Sequence, residues 1–219
     1  MHLPAGAVPN MVAVIALLGF LPVLATALWR SPWRALRENG LITVFITATA
    51  LAGLLWTLQV GVREGLTLHL LGTATLVLMF GPGLAIVAGS GALLMTVLAG
   101  RSAPLLVGLH GLLLAVLPVL VAEHGHRLLR RWLPANPFVF FLGSGFVGGM
   151  LALTAPILVS ALLLWGLGIQ PAWAIQRDYL ALLPLVLFPE GFINGAVLTA
   201  LSVYQPDWVR RFDDRDYAG

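Results

Sequence analysis

The chain has 219 residues, of which 59% are hydrophobic and only 10% charged, and its mean hydropathy is +0.96. Because soluble domains carry about 25% charged residues, this composition excludes a soluble globular domain and indicates a polytopic membrane protein. The absence of cysteine excludes disulfides and thiolate metal sites, and the twelve basic residues, all arginine, form no basic–aromatic patch of the kind that binds nucleic acid.

Apolar runs long enough to cross a lipid bilayer as helices recur along the whole chain. They predict about seven transmembrane helices, at residues 8–28, 41–60, 66–80, 84–99, 103–123, 138–166 and 180–204. Gly81-Pro82-Gly83 is a strong helix breaker and ends the third of them. The sequence therefore predicts an all-α membrane helix bundle, one integral membrane domain over 1–219 with a leader at 1–7 and a tail at 205–219.

Arginines are distributed unequally between the two sets of connections. One set holds nine, namely Arg30, Arg34, Arg37, Arg127, Arg130, Arg131, Arg210, Arg211 and Arg215. The other set holds three, namely Arg63, Arg101 and Arg177. Because cytoplasmic loops carry the excess of positive charge, this bias predicts an N-terminus outside, a cytoplasmic C-terminus and a place in the inner (cytoplasmic) membrane.

His69 stands at the start of the third apolar run, where an ionisable side chain is costly and suggests a functional site. The predicted topology places Met1 and His2 on the same side of the membrane, with His69 about one turn into its helix. The Met1 amine, the His2 amide and the His2 imidazole offer three in-plane nitrogens, and His69 can supply a fourth. Such a square-planar-type nitrogen site suits Ni²⁺ or Cu²⁺, and Co²⁺ can accept it. The alternative is that His2 is a histidine by chance and that His69 is an interior histidine held by hydrogen bonds, with no metal site.

Motifs lie in four stretches: Met1-His2-Leu3-Pro4-Ala5-Gly6; Leu68-His69-Leu70-Leu71-Gly72-Thr73 with Phe80-Gly81-Pro82; Gly108-Leu109-His110-Gly111-Leu112; and Phe188-Pro189-Glu190-Gly191-Phe192-Ile193-Asn194-Gly195. Together they resemble the CbiM/NikM family, the substrate-capturing membrane subunits of cobalt and nickel energy-coupling-factor ABC transporters, over nearly the whole chain.

The resemblance implies a permease subunit that binds Ni²⁺ or Co²⁺ from outside as transported ligand, without a cofactor. It also implies as partners a transmembrane coupling (T) subunit and cytoplasmic ATPase subunits. The implied metal ligands are Met1, His2 and His69. The chain departs from the family pattern at Ala5, where an acidic residue is common, and at His110, where we expect Asn. His110 could support the metal ligands or be an extra ligand. The choice between nickel and cobalt stays open.

Glu190 and Asn194 lie one turn apart on one face of the last predicted helix. We expect them to form a polar clamp between helices, because Glu190 is predicted to lie deeper in the membrane than His69. A metal or proton relay is the alternative. A membrane-embedded metalloenzyme using His69, His110 and Glu190 is another alternative. It would need His69 and Glu190 at the same depth in the membrane, and the chain has no His-Glu-x-x-His motif. A ligand-free structural subunit is the third possibility, and an ATPase is excluded because no phosphate-binding loop is present.

Three further features have structural explanations. Glu123-His124-Gly125-His126 could be a metal tract, but a solvated, charged helix end is the preferred interpretation, and the Asp- and Arg-rich tail is also interpreted as solvated. Gly145 with Gly149, and Gly191 with Gly195, have the small-xxx-small spacing that lets helices approach closely. Ala13, Ala16 and Gly19 form a small-residue stripe on the first helix, either for packing within the bundle or for docking on a partner subunit.

Overall fold

The computed structural model describes residues 3, 6–63 and 66–212. Its elements in chain order are α1 (Asn10–Arg30), α2 (Trp33–Glu38), α3 (Ile42–Thr57), β1 (Val60–Arg63), β2 (Leu66–Leu68), α4 (Thr73–Phe80), α5 (Pro82–Leu98), α6 (Pro104–Trp132), α7 (Val139–Gly166) and α8 (Ala172–Tyr204). The fold is mostly helical, as predicted, and the antiparallel β1–β2 hairpin is an exception that the sequence pattern did not predict.

Four helices of the described chain, α1, α6, α7 and α8, are long and apolar enough to cross a membrane. Two more, α3 and α5, are apolar but have only 16 and 17 residues. A 16-residue helix is about 24 Å long, somewhat less than the roughly 30 Å of a hydrocarbon core. The architecture is therefore that of a multi-pass membrane protein built from helices of unequal length.

The third predicted span is not one helix. Residues 66–68 pair with β1, His69–Gly72 is irregular, and only the second half of the run is helical. Gly72 has φ +67°, a conformation that favours glycine and separates the irregular segment from α4. The prediction of a helix over 66–80 was therefore wrong in its first half, whereas the predicted break is confirmed at Gly81, with φ +85°, followed by Pro82 at the first position of α5.

The short helix α4 lies in the interior of the bundle. Seven of its eight residues are buried, and it contacts α5, α6, α7 and α8. An isolated helix of eight residues is not stable in water, so its conformation depends on these neighbours.

Helix α1 packs closely against α6 through glycines. A side chain at Gly108 would overlap the backbone of Leu17, and one at Gly111 would lie 2.6 Å from the ring of Phe20. Ala13 and Ala16 are buried in the same interior face of α1. Ala13 and Ala16 of the predicted small-residue stripe therefore pack within the bundle, whereas Gly19 is exposed.

Helices α7 and α8 also approach closely, as their glycine spacing predicted. A Cβ at Gly149 would lie 3.0 Å from the amide nitrogen of Asn194, and a Cβ at Gly191 would lie 2.8 Å from the carbonyl oxygen of Phe146. This contact brings the polar residues of α8 close to the core helices.

Candidate metal centre

His69 lies outside the helices, in the irregular segment between β2 and α4, and only 3% of its surface is exposed. Its Nδ1 is 3.1 Å from the carbonyl oxygen of Leu70, so Nδ1 carries the proton and Nε2 carries the lone pair. Burial lowers the pKa of His69 to about 3, with a smaller contribution from the nearby His110. The imidazole is therefore neutral near pH 7, the state that a metal requires.

Trp56, at the end of α3, supports the His69 segment from one side. Its ring is fully buried, its centroid lies 5.6 Å from that of His69, and its indole N–H donates to the carbonyl of Leu71 over 3.0 Å. The sequence analysis did not identify Trp56. A buried indole N–H needs a hydrogen-bond acceptor, so the sequence indicates that Trp56 has a polar partner, but not where in the chain that partner lies.

Glu190 supports the same segment from α8. Its two carboxyl oxygens accept the backbone N–H groups of Leu71 and Gly72, each over 2.8 Å, and it is 1% exposed. Asn194 continues the contact, because its Oδ1 accepts both the N–H and the hydroxyl of Thr75 over 2.8 Å. The first-turn N–H groups of a helix have no partners within it, so these two side chains cap α4.

The polar clamp predicted for Glu190 and Asn194 is confirmed, and the two are also joined by a 2.9 Å hydrogen bond from Asn194 Nδ2 to Glu190 Oε1. The predicted difference in membrane depth between Glu190 and His69 stays a prediction. Glu190 contacts the backbone of Leu71 and Gly72, two and three residues after His69, because the irregular segment lies against the carboxyl group. Both of its oxygens accept amide N–H groups, so it holds the backbone, whereas a metalloenzyme would need it at the metal.

His110, in α6, holds the backbone of Leu3 inside the bundle. It is fully buried, its Nε2 accepts the N–H of Leu3 over 2.9 Å, and its Nδ1 is 2.8 Å from the hydroxyl of Ser102. Leu3 itself is 3% exposed and packs into the main hydrophobic core. The Nε2 lone pair is occupied by a protein N–H, so His110 is better suited to position the leader than to bind a metal. The predicted ligands Met1 and His2 lie outside the described residues.

The Glu123–His126 tract is not a solvated helix end, so that prediction was wrong for two of its residues. Glu123 is 3% exposed and pairs through Oε1 with Arg127 over 2.7 Å and with Arg211 over 2.6 Å. His126 is buried, with its Nδ1 2.9 Å from the hydroxyl of Ser144. Among the described residues no group of three or more His, Cys, Asp or Glu side chains could hold a metal ion.

The start of the tail keeps Asp207 and Arg210 exposed, as predicted, and its backbone also contacts the far end of α4. The backbone N–H groups of Arg210 and Arg211 donate to the carbonyls of Met79 and Leu78, over 3.2 and 3.1 Å. These carbonyls belong to the last turn of α4, where the helix itself supplies no N–H donors for them. The predicted tail residues Asp213, Asp214, Arg215 and Asp216 lie outside the described residues.

Known proteins resemble this chain in sequence pattern and in fold. The family model described as the cobalt uptake substrate-specific transmembrane region, CbiM, matches residues 2–208. No curated protein matches the chain. Among solved structures, a truncated transition metal transporter is 22% identical with a TM-score of 0.76, covering 93% of this chain and 99% of that one. A second transition metal transporter is 23% identical with a TM-score of 0.75, covering 93% of each chain. At these identities the two matches show a shared fold.

Proposed function

The chain belongs to the CbiM family of cobalt uptake substrate-specific transmembrane proteins, which are transporter components rather than enzymes, and from this we propose that it captures Ni²⁺ or Co²⁺ for an energy-coupling-factor transporter. The ion is the transported substrate and enters from outside. The protein works in the cytoplasmic membrane with a transmembrane coupling subunit and ATPase subunits. A chain without lysine has no phosphate-binding loop of its own, so the energy for release comes from those partners.

We assign four nitrogen ligands to the ion: the Met1 amine, the His2 amide and imidazole, and the His69 imidazole. The observation that carries this assignment is the 2.9 Å hydrogen bond from the Leu3 N–H to His110. Consecutive Cα atoms are about 3.8 Å apart, so an anchored Leu3 confines the preceding residue to the same part of the bundle.

His69 is prepared for this role by the groups around it. Its proton is fixed on Nδ1 by the Leu70 carbonyl, and the backbone that follows it is held by Trp56 and Glu190. Supporting contacts of this kind orient a metal ligand before the metal arrives, and their loss typically weakens metal binding about 10- to 100-fold. Three chelating nitrogens and one imidazole form the tetragonal arrangement that Ni²⁺ and Cu²⁺ prefer and Co²⁺ accepts.

The test is metal binding by the purified protein with an untagged, native N-terminus. Calorimetry with Ni²⁺, Co²⁺, Cu²⁺ and Zn²⁺ compares the wild type with His2→Ala, His69→Ala and a variant that has one residue added before Met1. We expect one equivalent of Ni²⁺ or Co²⁺ to bind and all three variants to lose it, because each removes one or more of the four nitrogens from the site.

His124→Ala is the matched control, since His124 is an exposed histidine whose Nδ1 contacts only the carbonyl of Leu120 among the described groups. It should bind metal as the wild type does. Retention of full affinity by the extended N-terminus would exclude the amine ligand, and retention by all three variants would place the site elsewhere in the chain.

A further inference from the structure

A cavity of about 670 Å³ lies at the end of α4 opposite to His69. It is bounded by the end of α1, the start of α5 and the tail, and we call it the α1–α5 cavity. Its lining residues are Pro22, Val23, Thr26, Ala27, Arg30, Ser31, Pro32, Phe80, Gly81, Pro82, Gly83, Leu84, Ile86 and Arg210. The volume is far larger than a single metal ion or halide needs, and nothing in the proposed function uses it.

The start of α5 supplies backbone donors to this cavity. Gly81 precedes the 17-residue helix without a side-chain cap, and Pro82 has no N–H. The first hydrogen bond that the helix closes is from Ala85 to the carbonyl of Gly81, over 3.0 Å. The N–H groups of Gly83 and Leu84 therefore lie at an uncapped helix start, where the helix dipole favours an anion.

Ser31 provides an independent indication of a ligand. The residue is 8% exposed, and its hydroxyl is buried without a hydrogen-bond partner in the described part of the chain. A Cβ at Gly83 would lie 2.8 Å from that hydroxyl oxygen, so the hydroxyl stands directly beside the start of α5. Because an unsatisfied buried hydroxyl is destabilising, we expect a group bound in the cavity to be its partner.

Two guanidinium groups add positive charge. Arg30 ends α1, and Arg210 lies over the helix start, with its Nη1 3.6 Å from the Cβ position of Gly81. The backbone of Arg210 is fixed by its hydrogen bond to Met79. Within residues 3, 6–63 and 66–212 no acidic side chain lines the cavity and neither arginine forms an ion pair.

We propose that the α1–α5 cavity binds a phosphate group, held by Arg30, Arg210, the Ser31 hydroxyl and the N–H groups at the start of α5. Phosphate presents several acceptor oxygens in a tetrahedral arrangement, which matches donors that converge from three chain segments. A planar carboxylate or a halide would satisfy fewer of them.

The source that the cavity favours is the headgroup of an anionic phospholipid. Pro22 and Val23 line it about two helical turns, or roughly 11 Å, from Arg30 along α1, and their surroundings are apolar. A polar end joined to an apolar wall matches a phosphate with its acyl chains, and arginines at a membrane surface attract anionic lipid. Free inorganic phosphate is the other source of the same chemistry. This inference is independent of the metal site.

The experiment reconstitutes the full chain in phosphatidylcholine nanodiscs containing increasing amounts of phosphatidylglycerol, and native mass spectrometry counts the lipids retained. Arg30→Gln/Arg210→Gln should weaken retention of phosphatidylglycerol about 30-fold, since each substitution removes a charge-assisted hydrogen bond to the bound phosphate, which we take as roughly fivefold. Arg34→Gln/Arg37→Gln is the matched control, because it removes two arginines outside the cavity, and it should stay within about twofold of the wild type. Ser31→Ala changes no charge and should weaken retention about tenfold, which preserves the test if the double variant does not fold.

A second arm titrates inorganic phosphate, against chloride at equal ionic strength, into nanodiscs of phosphatidylcholine alone and follows binding by phosphorus NMR. Phosphate binding that follows the same pattern of variants, without a preference for phosphatidylglycerol, supports the site and identifies free phosphate as its source. The proposal is overturned if neither ligand distinguishes the wild type from Ser31→Ala, or if the control weakens retention as much as Arg30→Gln/Arg210→Gln.

Discussion

The two fully or nearly buried histidines near the leader use their ring nitrogens differently. His69 engages the neighbouring Leu70 carbonyl through Nδ1, whereas His110 uses Nδ1 for Ser102 and Nε2 for the Leu3 N–H. An imidazole whose two nitrogens both hold protein groups has no lone pair left for a metal. We therefore treat His69 as the ligand and His110 as the residue that positions the leader.

Replacing His110 should weaken metal binding although it is not a ligand. His110→Ala removes the acceptor of the Leu3 N–H, so the leader loses its anchor, and we expect a 10- to 100-fold loss of affinity in calorimetry. His110→Gln should retain most of the affinity, because its amide oxygen lies near the position of Nε2 and can accept the same N–H. Equal affinity in the wild type and His110→Ala would show that the leader is held by other contacts.

Part of this site could be predicted from the sequence at the scale of single residues. The spacing of Glu190 and Asn194 indicated a clamp, and the clamp is confirmed. Its partners could not be predicted, because Leu71 and Gly72 lie 119 and 118 residues earlier and are bound through backbone N–H groups, which leave no mark on the side-chain pattern. The role of His110 was open for the same reason, since its partner is the backbone of Leu3.

At the scale of elements, α4 is a short helix whose two ends are both bound by distant parts of the chain. Asn194 accepts the N–H of Thr75 in its first turn, and Glu190 accepts the N–H groups of Leu71 and Gly72 just before it. At the other end, the N–H groups of Arg210 and Arg211 donate to its last carbonyls. A helix this short depends on such partners because it closes few hydrogen bonds of its own. The proposed metal ligand His69 lies in the irregular segment before it, so the contacts at its start also hold the backbone that follows His69.

Removing the cap should affect stability and metal binding together. In Glu190→Gln one carboxyl oxygen is replaced by an NH₂ group that cannot accept, which leaves the N–H of Leu71 or Gly72 without a partner. We expect a loss of about 1–3 kcal/mol in unfolding free energy and weaker metal binding, measured by thermal unfolding in detergent with and without Ni²⁺. Glu38→Gln, in an exposed pair with Arg34, should change stability by less than about 1 kcal/mol. Equal effects of the two substitutions would contradict a capping role.

The packing of α1 on α6 gives a second prediction at this scale. Gly108→Ala should destabilise the protein and weaken metal binding, because the added Cβ overlaps the backbone of Leu17 and pushes α1 and the leader away. Gly125→Ala in the same helix meets nothing within 4 Å and should be neutral or stabilising by up to about 1 kcal/mol. Thermal unfolding and calorimetry of the two variants, side by side, separate a packing effect from the general effect of replacing a helical glycine.

Most helices could be predicted from the length of the apolar runs, and the hinge at Gly81–Pro82 from its residue types. The structure of the third span could not be predicted. A short apolar run has the same sequence pattern whether it forms a helix or a strand followed by an irregular segment. The capped start of α4 and the left-handed Gly72 decide between these, and both depend on tertiary contacts.

For the whole molecule, the distribution of arginine makes a prediction about orientation. Nine arginines occur in one set of connections and three in the other, so we expect the end bearing Arg30 and Arg210 to face the cytoplasm and the leader to face outside. This orientation would place the metal ligands where the ion arrives and the α1–α5 cavity at the inner leaflet.

The absence of native cysteine allows this orientation to be measured with single-cysteine variants. Asn39, Ala135 and Ala172 are all exposed and lie in or beside connections between helices, so replacing them should leave the core undisturbed. A membrane-impermeant maleimide should label Ala172→Cys in intact cells, and should label Asn39→Cys and Ala135→Cys only after the membrane is opened. The reversed pattern would place the leader in the cytoplasm, where its nitrogens would meet the metal after transport, and capture from outside would then be untenable.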